Sequence, residues 1–255
     1  MYRVSMWTAV LLFCCGAVRG QVPESGRWQE LRFSADAVDS QVEDRYIERV
    51  VGLAADGKLD DDPVLLARLR AISAGLIRAA IALKPEAAQW QWELHTTSDP
   101  EVDAVCMAGG KILVGSAFVR QLAADDGELA TLLGHEVAHA VAEHARETLS
   151  EAFLLARRPP LPLDVLLERL DTDLSLQIRL SDLSSMQESE ADQLGMVLAY
   201  RAGWPPVAMV RFYAKLAAQE SAALIADHPA AASRLSMAKG MALLLGADAP
   251  LAAAP

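Results

Sequence analysis

The sequence predicts a mainly α fold with a small β-sheet, an α+β class, on three observations. Apolar residues recur at three- and four-residue spacing over residues 65–79, which indicates an amphipathic helix. Alternation of Trp90, Trp92 and Leu94 with polar residues is typical of a strand. Residues 127–149 are apolar on nearly every side of a helix, so we expect that helix to be buried.

The composition is that of a globular protein with an acidic charge balance. Of the 255 residues, 53% are hydrophobic and 22% are charged, which is enough apolar material for a folded core. The formal net charge is −11 and the sequence pI is about 4.9. Because nucleic-acid-binding proteins usually carry a basic surface, we expect no nucleic-acid partner.

The first twenty residues have the proportions of a secretory signal peptide. Arg3 supplies a positive charge, and residues 7–18 form an uncharged, mostly apolar run. That run is shorter than the roughly 20 residues that a membrane-spanning helix needs. We expect export and cleavage after Ala17 or Gly20, with an uncleaved anchor or a lipidated cysteine as the alternatives.

Two helices are predicted before the sheet. The first covers residues 36–54. The second begins at Asp62-Pro63, because proline is favoured in the first turn of a helix, and it runs to Leu83.

Two more strands follow, Ala104–Met107 and residues 111–114, joined around Gly109-Gly110. The second strand is the candidate edge for binding an extended peptide through main-chain hydrogen bonds, which would use Lys111, Ile112, Leu113 and Val114. Ordinary packing inside the sheet is an equal alternative for this strand. Cys106 is the only cysteine left after signal removal, so we expect no internal disulfide and a buried, unreactive thiol.

The next helix carries the residues that indicate metal chemistry. Asp125 and Glu128 match a capping box, which predicts a helix start at this point. His135 and His139 are four residues apart and project from one face, so both imidazoles can bind one zinc ion. Glu136 lies beside that position and can act as general base on a zinc-activated water, the HExxH pattern of zinc hydrolases.

His144 is predicted to lie away from this site. Helix rotation then places it about 140° from His139, so we expect a solvated histidine or one satisfied by other partners. His95 falls on the polar face of its strand and is predicted to be a surface residue.

The helical stretch over residues 184–195 offers a third ligand. Glu188 and Asp192 are four residues apart on one face. Glu188 is predicted to bind zinc, and Asp192 to accept a hydrogen bond from a ligand histidine. Glu190 is the rival ligand, but it points about 200° away from Glu188, so we expect its removal to change little. A solvated acidic face is the alternative for the whole stretch.

The segment between the zinc motifs carries leucines on one side of a predicted helix, namely Leu163, Leu166, Leu167, Leu170 and Leu174. Packing on the rest of the chain is the simpler interpretation. A lid over the cleft is the alternative, because the position in the chain places this helix beside the zinc.

Four motifs in this order, GGKILV, HEVAH, ESEAD and DHPAAASRL, resemble the HtpX and CAAX-prenyl-protease family of zinc metallopeptidases over about residues 40–245. The resemblance implies a gluzincin-type fold with Glu136 as general base. The implied zinc ligands are His135, His139 and Glu188, supported by Asp192. It also places His228 and Arg234 near the cleft, where we expect His228 to donate a hydrogen bond to the developing oxyanion.

Within that family the chain resembles the soluble periplasmic branch, such as the peptidase domains of LoiP and BepA, because no spanning segment follows residue 20. The expected organisation is a signal peptide over 1–20, one zinc metallopeptidase domain over 21–245 and a C-terminal tail over 246–255. The last helices of the domain are predicted over residues 205–219 and 229–245. The implied location is the periplasm of a Gram-negative bacterium, and peripheral association with the outer membrane or its assembly machinery is a further expectation.

The expected function is hydrolysis of peptide bonds in unfolded or misfolded envelope proteins, with one Zn²⁺ per chain. One alternative is a non-catalytic zinc-binding chaperone or adaptor. Glu136 argues against it, because a structural zinc site needs no base. The other alternative is a metallohydrolase of a non-peptide envelope substrate, against which the candidate edge strand favours peptides.

Overall fold

The computed structural model describes residues 17–156, 161–220 and 231–247. Most of the predicted signal peptide and the motif that contains His228 lie outside these described residues. The predictions made for them therefore stay predictions.

The described residues form helices and two small sheets, which confirms the predicted α+β class. The helices are α1 (Ala35–Ala55), α2 (Pro63–Leu83), α3 (Ser116–Leu122), α4 (Asp126–Val141), α5 (His144–Leu155), α6 (Leu163–Thr172), α7 (Leu174–Arg201), α8 (Pro206–Glu220) and α9 (Ala231–Ala247). The strands are β1 (Val18–Gln21), β2 (Trp28–Leu31), β3 (Glu93–Thr97), β4 (Ala104–Met107) and β5 (Lys111–Gly115). Of the helices described, none combines the length and the apolar character needed to cross a bilayer.

Helix α4 is the central element, and α2, α7, α8 and β4 all pack against it. The capping box forms as predicted. The Asp125 side chain accepts from the Glu128 amide at 2.9 Å, and the Glu128 side chain accepts from the Asp125 amide at 2.8 Å. From Gly127 to Val141 every residue is buried except Glu136 and His139, whose side chains reach a cleft.

The helix predicted to run unbroken through residue 149 is two helices. α4 ends at Val141, Glu143 adopts a left-handed backbone with φ 54° and ψ 34°, and α5 begins at His144. Two cations hold the Glu143 carboxylate at this break, Arg146 at 3.0 Å and Lys84 at 3.4 Å. The expected direction of the His144 side chain, which assumed one continuous helix, is therefore wrong.

Of the two interpretations of the strand over residues 111–114, ordinary packing inside the sheet is confirmed and the peptide-binding edge is wrong. The strand order is β3–β5–β4, with β5 parallel to β3 and antiparallel to β4, so Lys111–Gly115 is the central strand and is buried throughout. Its continuous apolar run fits a strand covered on both faces. The edge beside the cleft is β4. The turn into β5 needs its two glycines, because Gly109 and Gly110 have φ of 75° and 83°.

Strand β3 starts three residues later than the Trp90–Trp92 alternation predicted. Both tryptophans precede the strand, and the Trp92 indole N–H donates to the Ala87 carbonyl at 2.9 Å. His95 is half-buried between Asp60 at 2.6 Å and Glu93 at 2.8 Å, so it is not the surface histidine that the alternation predicted.

The hairpin of β1 and β2 has no counterpart in the sequence-based prediction. Its two strands are antiparallel, and Gln29 of β2 is buried, donating to the Ala142 carbonyl and to Glu147 at 2.9 Å each. Cleavage after Ala17 would leave β1 whole, whereas cleavage after Gly20 would remove three of its four residues. The export signal itself stays a prediction.

Helix α6 packs as the simpler interpretation of its leucines predicted. Leu166 is fully buried in an apolar cluster with residues of α1, α5 and α7, namely Val38, Val42, Leu149, Ala152, Leu176 and Leu180. Leu167 and Leu170 line the cleft, so α6 forms one of its walls. Leu174 does not share this face, because it begins α7 and is 67% exposed.

Helices α4 and α7 approach closely through two glycines. A Cβ atom on Gly195 would lie 2.6 Å from the His135 nitrogen and 2.7 Å from its Cα, and one on Gly134 would lie 2.7 Å from the Gly195 carbonyl oxygen. These distances are shorter than any real side chain tolerates. Glycine at both positions therefore allows His135 to face the polar side chains of α7.

We predict that Gly195→Ala destabilises the protein and weakens zinc binding, because the added methyl group must push α7 away from α4. Overpacking of this kind costs about 1–3 kcal/mol. Gly52→Ala is the matched control, since nothing lies within 4 Å of a Cβ there and α1 should gain up to about 1 kcal/mol. Urea unfolding and zinc titration of both variants test this. A Gly195→Ala protein as stable as wild type would contradict the packing argument.

Candidate metal centre

Three side chains converge where α4 meets α7. His135 Nε2 lies 3.2 Å from His139 Nε2 and 3.5 Å from Glu188 Oε2, and His139 Nε2 lies 3.3 Å from Glu188 Oε1. One possible ligand atom from each of the three lies within 4.8 Å of the other two. The structure thus brings together the three residues predicted to be ligands.

The arrangement fits zinc. Tetrahedral coordination with bonds of about 2.0–2.1 Å sets ligand atoms about 3.3–3.4 Å apart. The three separations here are 3.2, 3.3 and 3.5 Å, close to that value, with Glu188 facing the two imidazoles through different oxygens. Two imidazoles and one carboxylate are a donor set that zinc prefers, and catalytic zinc sites combine three protein ligands with a water. No fourth ligand joins these three among the residues that the structure describes.

Asp192 is the buried anchor behind this site. Its Oδ1 lies 2.9 Å from His135 Nδ1, the ring nitrogen that faces away from the convergence point. The carboxylate also accepts two hydrogen bonds from Arg234 of α9, at 2.8 and 2.6 Å, and one from the Tyr213 hydroxyl of α8 at 2.8 Å. Both terminal helices therefore fix the acceptor that orients a candidate ligand.

The electrostatics of the two candidate ligand histidines differ. Burial alone would lower the pKa of His135, but the contacts with Asp192 and Glu188 outweigh it and raise the pKa to about 10. For His139, burial and the neighbouring His135 outweigh Glu188 and lower the pKa. The pKa of Asp192 is lowered because His135 and Arg234 outweigh the effect of its burial. Asp192 is therefore held in its charged form behind His135.

Glu136 faces the outer edge of β4, where no described strand pairs. The Gly115 amide donates to the Asp103 carbonyl at 2.7 Å, so Asp103 is a residue that bonds towards β5. In an antiparallel pair every second residue bonds to the neighbouring strand, and the residues between them point the other way. The amide of Cys106 therefore points away from β5, and it donates to Glu136 Oε2 at 3.2 Å. The Cys106 thiol is buried as predicted, and burial together with Glu136 raises its pKa, which keeps it protonated.

A cleft of about 1200 Å³ opens over these residues. Its walls come from α1, β4, α5 and α6, and His135, Glu136, His139 and Glu188 lie along it. The volume exceeds that of most small-molecule pockets, so the cleft has room for a segment of polypeptide.

Two residues that helix periodicity placed away from this centre lie in it. His144 is 2% exposed, and its Nδ1 lies 3.0 Å from Nδ1 of His139. Glu190 is mostly buried and accepts hydrogen bonds from Arg27, at 2.8 and 2.7 Å, and from Ser25 at 3.0 Å. Helix periodicity had no means of finding these contacts, because they depend on the break before α5 and on a hairpin far away in the sequence.

The remaining site predictions have different outcomes. The substrate strand Lys111–Gly115 is buried in the sheet, as described above. His228 lies outside the described residues. Arg234 contacts Asp192 and is 7% exposed, so it supports the metal centre from within the protein.

Comparison with known proteins gives a family match. A model described as "Peptidase family M48" matches residues 66–242. The chain is 33% identical over 147 residues to "Mitochondrial metalloendopeptidase OMA1" of Arabidopsis thaliana, which covers 56% of this chain and 30% of that protein.

Two bacterial relatives are called "Beta-barrel assembly-enhancing protease". The protein of Yersinia pestis is 27% identical over 209 residues, which covers 74% of this chain and 41% of the relative. That of Escherichia coli (strain K12) is 23% identical over 223 residues, covering 80% and 44%. The chain spans less than half the length of the curated relatives it matches.

We predict that Asp192→Asn weakens zinc binding about 10–100-fold, because the ligand His135 loses the charged acceptor that orients it. The same change leaves Arg234 without its carboxylate, and breaking a buried ion pair costs about 3–5 kcal/mol. Asp171→Asn is the control, since Asp171 pairs with Arg45 at an exposed site worth at most about 1 kcal/mol. Chelator competition and urea unfolding measure both quantities. Equal effects of the two substitutions would contradict the role given to Asp192.

A pH dependence follows from Asp39, which lines the cleft on α1. Burial and the nearby Glu143 raise its pKa from 3.8 to about 6. The folded protein therefore binds this proton more tightly than the unfolded chain, so stability falls as pH rises from about 4 to 6. We expect the melting temperature of Asp39→Asn to be higher than that of wild type at pH 7.5 and equal to it at pH 3.5. Asp44→Asn, exposed on the same helix, should show no such difference between the two pH values.

Proposed function

The chain belongs to peptidase family M48, and from that premise we propose that it is a zinc-dependent endopeptidase that cleaves unfolded polypeptides. The observation that carries the proposal is the convergence of His135, His139 and Glu188, which no fourth ligand joins among the described residues, with Glu136 in the same cleft. A structural zinc site is usually closed by four protein ligands and needs no base, so this arrangement favours catalysis over a chaperone or adaptor role.

Each residue of the site has a part in the proposed reaction. When bound, zinc supplies Lewis acidity that polarises a carbonyl group and lowers the pKa of water. Glu136 takes the proton of the attacking water on its carboxylate and delivers it to the departing amine. The Cys106 amide fixes one oxygen of that carboxylate. Asp192 keeps the Nδ1 proton of His135 in place, so that Nε2 is presented as the ligand atom.

Strand β4, not β5, is the proposed binding edge for the substrate. Its outer side faces the cleft, and no strand among the described residues pairs with it there. A peptide lying along this edge would bond through its main chain, which demands an extended conformation and ignores most of the sequence. Unfolded proteins offer such segments, whereas folded ones seldom do.

The proposed setting is the envelope of a Gram-negative bacterium, in the quality control of misfolded proteins. The predicted export signal over residues 1–20 supports it, as do the two relatives whose name refers to β-barrel assembly. Association with the outer membrane or its assembly machinery belongs to the same proposal. His228 stays the proposed donor to the developing oxyanion.

We predict that Glu136→Gln keeps zinc and the fold but loses peptidase activity, because glutamine fills the same space and cannot accept the proton. General-base catalysis contributes about 10²–10⁴-fold, so the rate should fall by that factor. Elemental analysis, circular dichroism and digestion of an unfolded protein provide the three measurements. Glu101→Gln, exposed and outside the cleft, is the control. Digestion at the wild-type rate by zinc-loaded Glu136→Gln would exclude the proposed base.

A further inference from the structure

His139 has a partner on the side of the ring that faces away from the metal position. Its Nδ1 lies 3.0 Å from Nδ1 of His144, and the two rings meet edge to face, with centroids 4.9 Å apart and planes at 78°. His144 is the first residue of α5 and is 2% exposed. The predicted metal position lies at Nε2 of His139. Neither Nδ1 atom of this contact would therefore be a metal ligand.

Only one placement of protons satisfies the contact, if His139 binds zinc as the proposed function requires. A histidine that binds through Nε2 carries its proton on Nδ1 and donates it to a neighbouring acceptor. The acceptor here is His144 Nδ1, so the His144 proton must be on Nε2. That nitrogen lies 3.4 Å from Glu190 Oε2, a contact of an N–H group with a carboxylate that falls short of a hydrogen bond.

The far end of this chain of contacts is fixed from the hairpin. Arg27, between β1 and β2, donates to both oxygens of Glu190 and to both oxygens of Glu147. Ser25 adds a third hydrogen bond to Glu190 at 3.0 Å. The Glu190 carboxylate is therefore held by two hydrogen bonds from the Arg27 guanidinium. It cannot turn away from the His144 imidazole without breaking them.

We propose that His144 is a positioning residue for the zinc ligand His139, held in its turn by Glu190 and Arg27. Through its Nδ1 it fixes both the tautomer and the ring orientation of that ligand. Asp192 serves His135 in the same way, but as a charged acceptor, whereas His144 is a neutral one. Partners of this kind typically contribute 10–100-fold to metal affinity.

The test separates an acceptor from a space-filling side chain. His144→Leu keeps apolar volume and removes the acceptor. His144→Asn is smaller but sets a carbonyl oxygen close to where Nδ1 stands. We expect about 10–100-fold weaker zinc binding in His144→Leu and near wild-type binding in His144→Asn. His95→Leu is the control, because His95 also contacts two carboxylates but lies outside the cleft.

Two readouts besides activity are used. Chelator competition gives the zinc affinity, and the visible absorption of the Co²⁺-loaded protein gives the ligand geometry. The unfolding midpoint of the metal-free protein shows whether each variant folds. Wild-type zinc affinity and cobalt spectrum in His144→Leu, or equal losses in the leucine and asparagine variants, would overturn the proposal. If wild type itself bound no zinc, the proposed function would fail first, and the two failures are thereby distinguished.

Glu190→Ala tests the outer contacts without altering the imidazole. We expect a smaller loss of zinc affinity than in His144→Leu, with the cobalt spectrum shifted in the same direction. This contrasts with the expectation from helix faces, which gave Glu190 no part. Unchanged affinity and spectrum in a folded Glu190→Ala protein would remove Glu190 and Arg27 from the proposal.

Discussion

The close contact of α4 and α7 is the constraint on which the metal centre depends. Two facing glycines let the backbones approach until a methyl group on Gly195 would collide with His135. At that separation a ligand on α7 reaches the imidazoles of α4, and Asp192 reaches the back of one ring. A wider spacing would leave the same residues present but their ligand atoms too far apart to share one ion.

Short-range signals in the sequence predicted much of this centre. Three of these signals depend on local geometry, namely the capping box at Asp125, the proline at the start of α2 and the four-residue spacings in α4 and α7. The structure contains all three as predicted. The errors arose where tertiary contacts decide. Glu143 ends the helix without glycine or proline because Lys84 and Arg146 hold its side chain. The place of β5 in the sheet depends on β3, which pairs with it across a long connection, and no pattern within β5 specifies a neighbour.

The buried carboxylates behind the candidate ligands have positively charged or hydrogen-bonding partners. Asp192 has a guanidinium, a hydroxyl and an imidazole around it, and Glu147 and Glu190 share Arg27. Burial disfavours the charged form of each carboxylate. The pKa of Glu190 nevertheless falls to about 2, because the contacts with His144 and Arg27 outweigh the effect of burial. These buried carboxylates of α5 and α7 are therefore tolerated because their partners lie on other elements.

The pairing of Arg27 with Glu190 joins residues 163 positions apart in the chain, and Arg234 reaches back 42 positions to Asp192. The two supports of the candidate centre therefore come from opposite ends of the described residues, whereas the candidate ligands lie on α4 and α7 between them. A change in the hairpin or in α9 can thereby weaken the candidate centre without touching one of its ligands.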